Sequence, residues 1–254
     1  MNIIKNKTTR ALILIMGAFV IIAIVIAKNY YSKKNASIDP RIVEARELYE
    51  KYNQFAETSQ LDSVFHLLNQ IEAVYAGIPH YKKSFEVGVL YNNRAATYLT
   101  LALYSPVLST DTIAVDSLMA RAEKYVQTSI HLYTNWLSEY EELSEAAIQL
   151  LITDTFKIGL SHFTQEEQEQ FLTHRISEIQ DAQIETPRRL SVSYTNLGII
   201  FRYRENLEEA AECYIKALEL WDQNLTAENN LNKLLGKPLK KRTILQKLFP
   251  PERK

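Results

Sequence analysis

Apolar residues recur along this chain at intervals of three and four, and they nowhere alternate over a run bounded by turn residues. That pattern predicts helices and no strands. It is sharpest over residues 191–224, where Tyr194, Leu197 and Phe201 form one stripe and Ala210, Tyr214, Ala217 and Leu218 form a second. Arg204, Glu205 and Asn206 make a polar turn between them, with Asn206 as N-cap and Glu209 three residues on. Gly198 and Ala210 are small where the two helices would approach. A helical hairpin of this kind cannot bury its apolar face alone, so stacked neighbours are required.

The rest of the chain predicts those neighbours. Asp39 and Pro40 start a helix carrying Ala45, Leu48 and Tyr52, with Tyr49 where a small residue is expected; a second helix carries Leu61, Val64, Phe65, Leu68 and Ile71. In the next pair, Tyr91, Arg94, Ala95 and Tyr98 repeat the first-helix spacing, with Ala95 as the small residue, and Ala122, Val126, Ser129, Ile130 and Leu132 repeat the second. An extended loop over 104–112 joins them, a surface insertion with a binding element as the alternative. Ser138 and Glu141 read as a capping box opening a third pair, whose apolar face is Leu143, Ala147, Leu150 and Leu151. Thr164 and Glu167 read as a second box, before Phe171, Leu172, Ile176 and Ile179. Thr186 and Pro187 then predict the start of the 191–224 hairpin, and a closing helix with Leu231 and Leu235 follows it over 226–236.

The 191–224 segment resembles the tetratricopeptide repeat: an aromatic, a Leu-Gly pair and a second aromatic, then Ala, aromatic and Ala over 34 residues. Seven of eight signature positions are filled, and Asp222 replaces the closing proline. The resemblance implies an all-α, right-handed superhelical array of helical hairpins, about four of them, spanning 39–236 with its clearest repeats at 88–133 and 191–224. It also implies a concave groove for a protein or peptide partner. Carried onto matching positions, the groove residues are Val192, Thr195, Asn196, Ile199, Arg202 and Tyr203, with Asn92, Asn93, Ala96 and Thr100 in the Tyr91 repeat, where Leu99 stands in place of Arg202. Side-chain amides and Arg would bind extended backbone or carboxylates there. The basic-and-Asn carboxylate clamp of some members is incomplete, because Val192 and Thr195 lack its charge.

Charge adds a second theme. Of 29 Lys and Arg and 30 Asp and Glu, 14 basic residues and one acidic residue fall in 1–34 and 233–254, leaving 15 basic and 29 acidic between. An acidic body argues against nucleic-acid binding. Residues 11–27 hold no charge, and Lys5, Lys7 and Arg10 precede them while Lys28, Lys33 and Lys34 follow. As a helix they would span about 26 Å. With Tyr30 and Tyr31 as interfacial anchors, this predicts one transmembrane helix at 11–30, between a short basic tail at 1–10 and a linker at 31–38. A cleaved signal peptide ending near Ala27 is the alternative. The expectation is a single-pass protein of a bacterial inner membrane with its repeats in the periplasm, although the near-balanced flanks leave the opposite orientation open. In the basic tail at 237–254, Ile244, Leu245, Leu248 and Phe249 bordered by Lys240, Lys241, Arg242 and Lys247 suit an anionic surface, with a disordered or self-docked tail as the alternative.

No arrangement points to catalysis, a metal or a cofactor. His66, His80, His131, His162 and His174 are scattered, the six glycines form no phosphate loop, and Cys213 reads as a small apolar core residue. Acid clusters at 139–142 and 166–169 fit helix starts. The expected role is a membrane-anchored scaffold or adaptor that is not an enzyme, with a membrane-linked sensor as the rival reading.

Overall fold

A computed structural model of the protein describes residues 37–105 and 112–242, together with Met16 and Val20. Among the described residues from 37 onward there are eight α-helices, and no described residue lies in a strand. They are α1 Val43–Glu57, α2 Leu61–Ala76, α3 Phe85–Tyr104, α4 Thr112–Tyr140, α5 Glu145–Lys157, α6 Gln165–Tyr203, α7 Leu207–Leu220 and α8 Leu225–Leu234. The fold is all-α, as the periodicity predicts.

Three hairpins form where the stripes place them: α1 with α2, α3 with α4, and the C-terminal third of α6 with α7. Asp39 caps the entrance to the first, its Oδ1 accepting from the Arg41 N–H at 3.0 Å ahead of a 3₁₀ turn at Pro40–Ile42. In the last hairpin Gly198 lies against the ring of Tyr214; a Cβ built there would sit 2.5 Å from the ring. The same contact recurs once: Gly88 lies against Tyr133, where a Cβ would sit 2.6 Å away. The counterpart of Gly198 is thus Gly88, two turns upstream of Ala95. Ala95 is fully buried, but in a second level of the α3–α4 pair with Ala122 and Val126. These two helices are long enough to offer a small residue at both levels, and spacing alone does not choose between them.

The third predicted pair differs most. Ser138 does not start a helix; Trp136 and Leu137 are buried and keep α4 helical to Tyr140, and Ser138 donates back to the Asn135 carbonyl at 2.7 Å. The cap of α5 is Ser144, which accepts from the Ala147 N–H at 3.4 Å. The buried face of α5 is Ile148, Ile152 and Phe156, and Leu150 and Leu151 face outward. The box at Thr164 and Glu167 forms as expected. The helix it opens does not stop at Thr186, however; α6 runs unbroken through Pro187 for 39 residues, about 58 Å.

An internal proline leaves the carbonyl four residues back, here that of Gln183, without its helical donor, a cost of about 3 kcal/mol. Packing offsets it: Thr186, Pro187 and Leu190 are buried. One turn earlier, the Gln183 amide donates to the Tyr140 and Leu143 carbonyls at 2.5 and 2.9 Å. The N-terminal half of α6 therefore packs against α5 and is at the same time continuous with the last repeat's first helix. At the other end, Asn206 makes no side-chain cap, with Glu205 before it at φ 64°, and it is Asn224 that caps α8 by accepting from the Ala227 N–H at 3.0 Å. Cys213 is buried, and burial pushes its thiol up to about 11.

Membrane placement is corrected. No helix among the described residues is long and apolar enough to cross a membrane. The 11–27 stretch lies outside the described residues except for Met16 and Val20, which are helical and exposed. An uncharged run in the sequence is no more than a capacity to span, and the single-pass expectation has no helix among the described residues to rest on. Residues 106–111 of the predicted loop and the tail stripe from Ile244 to Phe249 also lie outside the described residues.

Candidate partner-binding cleft

Because α6 runs on past Pro187 toward its own N-terminus, it reaches α1 and the residues just before it. Glu178 of α6 pairs with Arg46 of α1, and His174 Nδ1 lies 3.4 Å from Ser37 Oγ. Helices α1, α3 and α6 then each turn one face into a shared cleft of about 460 Å³. Ile42 comes from the 3₁₀ turn that leads into α1, Arg46, Tyr49 and Glu50 from α1 itself, Val89 and Leu90 from α3, and Asp181, Ala182, Glu185 and Arg189 from α6. Its size falls within the range of pockets that hold small ligands or anchor side chains.

One end of the cleft rests on a buried ionic cluster. Arg175, 1% exposed, donates to Glu86 through both terminal nitrogens at 2.5 and 3.3 Å, to Glu178 at 3.2 Å and, through Nε, to His80 Nε2 at 3.0 Å. Its guanidinium lies over the ring of Tyr81 at 4.4 Å. Burial works against its charge, but Glu86, Tyr81 and Glu178 overcome this and raise its pKa. Burial alone would also raise Glu178, yet the His174 hydrogen bond and the charges of Arg175 and Arg46 hold it down at about 2. Burial, with Arg175 and Arg41 beside it, lowers His80 to about 3, so its ring is neutral and accepts from Arg175. Each charge here is answered by another, which fixes the geometry of α1, α3 and α6.

The residues inferred from the repeat pattern fall into separate groups. Asn92 and Asn196 meet, the Asn196 amide donating to Asn92 Oδ1 at 2.9 Å, so α3 and α6 lie side by side at this level. Asn93 donates to the Tyr49 hydroxyl at 3.1 Å, which brings α1 beside α3. Thr195 is buried, bonded to the Ser191 carbonyl and the Asn224 amide at 2.9 Å each. Arg202 turns to Asn230 of α8 at 2.5 Å, and the Tyr203 hydroxyl lies 3.4 Å from Asp116 of α4. Val192 and Thr100 are exposed, Ala96 is half-buried, Ile199 packs on the second core cluster and Leu99 is buried within it.

The cleft-lining charges Arg46, Glu50, Asp181, Glu185 and Arg189 were not among those candidates. Their signal was present as a stripe at Glu178, Asp181, Glu185 and Arg189, spaced for one helical face. A helix boundary drawn at Thr186 splits that stripe in two and hides it.

The tetratricopeptide repeat model matches residues 191–224, the span that holds Gly198 and Tyr214. No curated protein matches the chain, and no solved structure does. The chain thus carries a tetratricopeptide repeat within an all-α fold consistent with a helical repeat array. Such repeats generally mediate protein–protein interaction.

Proposed function

We propose that this protein is a scaffold or adaptor, and not an enzyme, that holds an extended segment of a partner protein in the cleft between α1, α3 and α6. The observation that carries this reading is the cleft itself: about 460 Å³, floored by Tyr49, Val89, Leu90 and Ala182 and edged by charges, on the side where first helices of successive hairpins meet. In a right-handed array of such hairpins that side is the inner one. Apolar floors surrounded by polar rims suit a bound chain, in which buried anchors supply affinity and rim groups supply register. The titratable groups at the end of the cleft favour holding over turnover: Arg175, Glu178, Glu86 and His80 are committed to one another.

A photo-crosslinking residue at Val89 tests this in the full chain, with mapping of the partner peptide it captures. Adducts should form at Val89 and vanish when Ala182→Trp fills the cleft. Adducts that survive Ala182→Trp would place the partner elsewhere.

A further inference from the structure

The cleft's charges are unevenly satisfied, and this bears on which segment fits, granted that the cleft is where a partner lies. Glu86 and Glu178 are neutralised by Arg175 and Arg46, and Glu185 pairs with Arg188 at 3.3 Å. Glu50 of α1 and Asp181 of α6 both line the cleft, both are exposed, and neither has an ion-pair or hydrogen-bond partner among the described residues. Arg189 lines the same cleft with its guanidinium over the Phe85 ring at 5.5 Å, and it has no carboxylate partner among the described residues. Two carboxylates and one guanidinium are therefore left open, in separate places.

Their separation has a scale. Asp181 and Arg189 are eight residues apart on α6, about 12 Å along its axis. An extended chain advances about 3.3 Å per residue and returns to the same face every second residue, so positions i and i+4 lie about 13 Å apart on one side. We propose that the cleft reads a charge register: an extended segment of a protein partner with Lys or Arg seated between Glu50 and Asp181 and, four residues away, Asp or Glu against Arg189. The aliphatic stem of the basic residue would lie on Tyr49, Val89 and Ala182. Opposite charges at a partly desolvated rim set register and reject mismatched segments more than they add raw affinity.

The test uses the full chain and a displayed library of random twelve-residue linear peptides, selected in parallel on wild type and Ala182→Trp. Enriched sequences should carry a basic and an acidic residue four apart, and should be absent from the Ala182→Trp selection. A synthetic copy should bind Asp181→Lys about tenfold or more weakly. The doubly exchanged Asp181→Lys, Arg189→Glu variant should prefer the peptide with its two charges swapped. Asp181 makes no ion pair among the described residues, so Asp181→Lys should keep the wild-type melting profile, while the double variant also loses the Arg189 contact with the Phe85 ring and should melt slightly lower while staying folded. Enrichment that depends on the cleft but shows no charge spacing would overturn the register and leave the scaffold reading standing. Enrichment indifferent to Ala182→Trp, or none at all, would remove both.

Discussion

The two ends of α6 share apolar packing, and only one of them adds a buried ionic cluster. Its C-terminal third packs as an apolar seam, with Gly198 flat on Tyr214 and Leu197 and Ile200 buried beside it. Its N-terminal half also buries an apolar face, Phe171, Leu172, Ile176 and Ile179, and adds to it a buried charge cluster in which Arg175 and Glu178 meet partners on α1, on α3 and in the Pro79–Tyr81 turn. The seam is local and has a signature that sequence can carry. The ionic cluster joins residues about ninety positions apart in the case of His80 and Glu86, and more than a hundred in the case of Arg46. One end positions a repeat; the other builds a cleft.

The comparison is broken most severely at Arg175. Removing one partner from a buried ionic cluster leaves the others uncompensated, so Arg175→Ala should cost about 3–5 kcal/mol in urea unfolding. If the loss were below about 1 kcal/mol, the cluster would not be what holds this end.

Acid attacks the same end. Glu178 titrates in the fold at about 2 against an ordinary 4.5, so the unfolded chain binds its proton first. The stability it contributes is complete above about pH 5 and is lost as pH falls toward 2, to a total of about 3 kcal/mol. His80, lowered to about 3 from 6.5, acts with the same sign and starts earlier, because the unfolded imidazole charges first as pH falls below 6.5. Urea midpoints measured down a pH series should decline from near 6.5 and steepen below 4.5. In Glu178→Gln the steeper part should flatten.

The apolar seam is sharpened by small additions. Gly198→Ala and Gly88→Ala each drive a methyl into a tyrosine ring and should cost about 1–3 kcal/mol. Gly88→Ala costing as much as Gly198→Ala would establish the α3–α4 pair as a repeat in the Gly88 register. Thr164→Ala should cost about 1 kcal/mol through the lost cap. Leu150→Ser, on the outward face of α5, should stay within about 0.5 kcal/mol by thermal melting.

Three- and four-residue spacing was enough to place the hairpins, and the Tyr194–Gly198–Tyr214 constellation marked the last of them. Spacing could not choose between Gly88 and Ala95, because both are small and both lie two turns or less from an aromatic of the same class. Nor could it see that Pro187 is tolerated, since the buried neighbours and the Gln183 amide that offset its lost hydrogen bond come from tertiary structure. That single boundary hid the cleft. With α6 divided, Asp181 and Arg189 belong to different helices and Arg175 has no reason to meet Glu86. Asn92 and Asn196, by contrast, were named from pattern alone and do meet.

The cleft depends most on α6 being one rod through Pro187. Spin labels at Gln170→Cys and Tyr203→Cys, in a Cys213→Ser background, measure this by pulsed electron paramagnetic resonance. A continuous helix sets the backbone positions about 50 Å apart, and a single narrow distance distribution near that value is expected. A distribution centred below about 40 Å, or split in two, would mean that the chain folds back at Pro187 and that the cleft between α1, α3 and α6 does not exist as described.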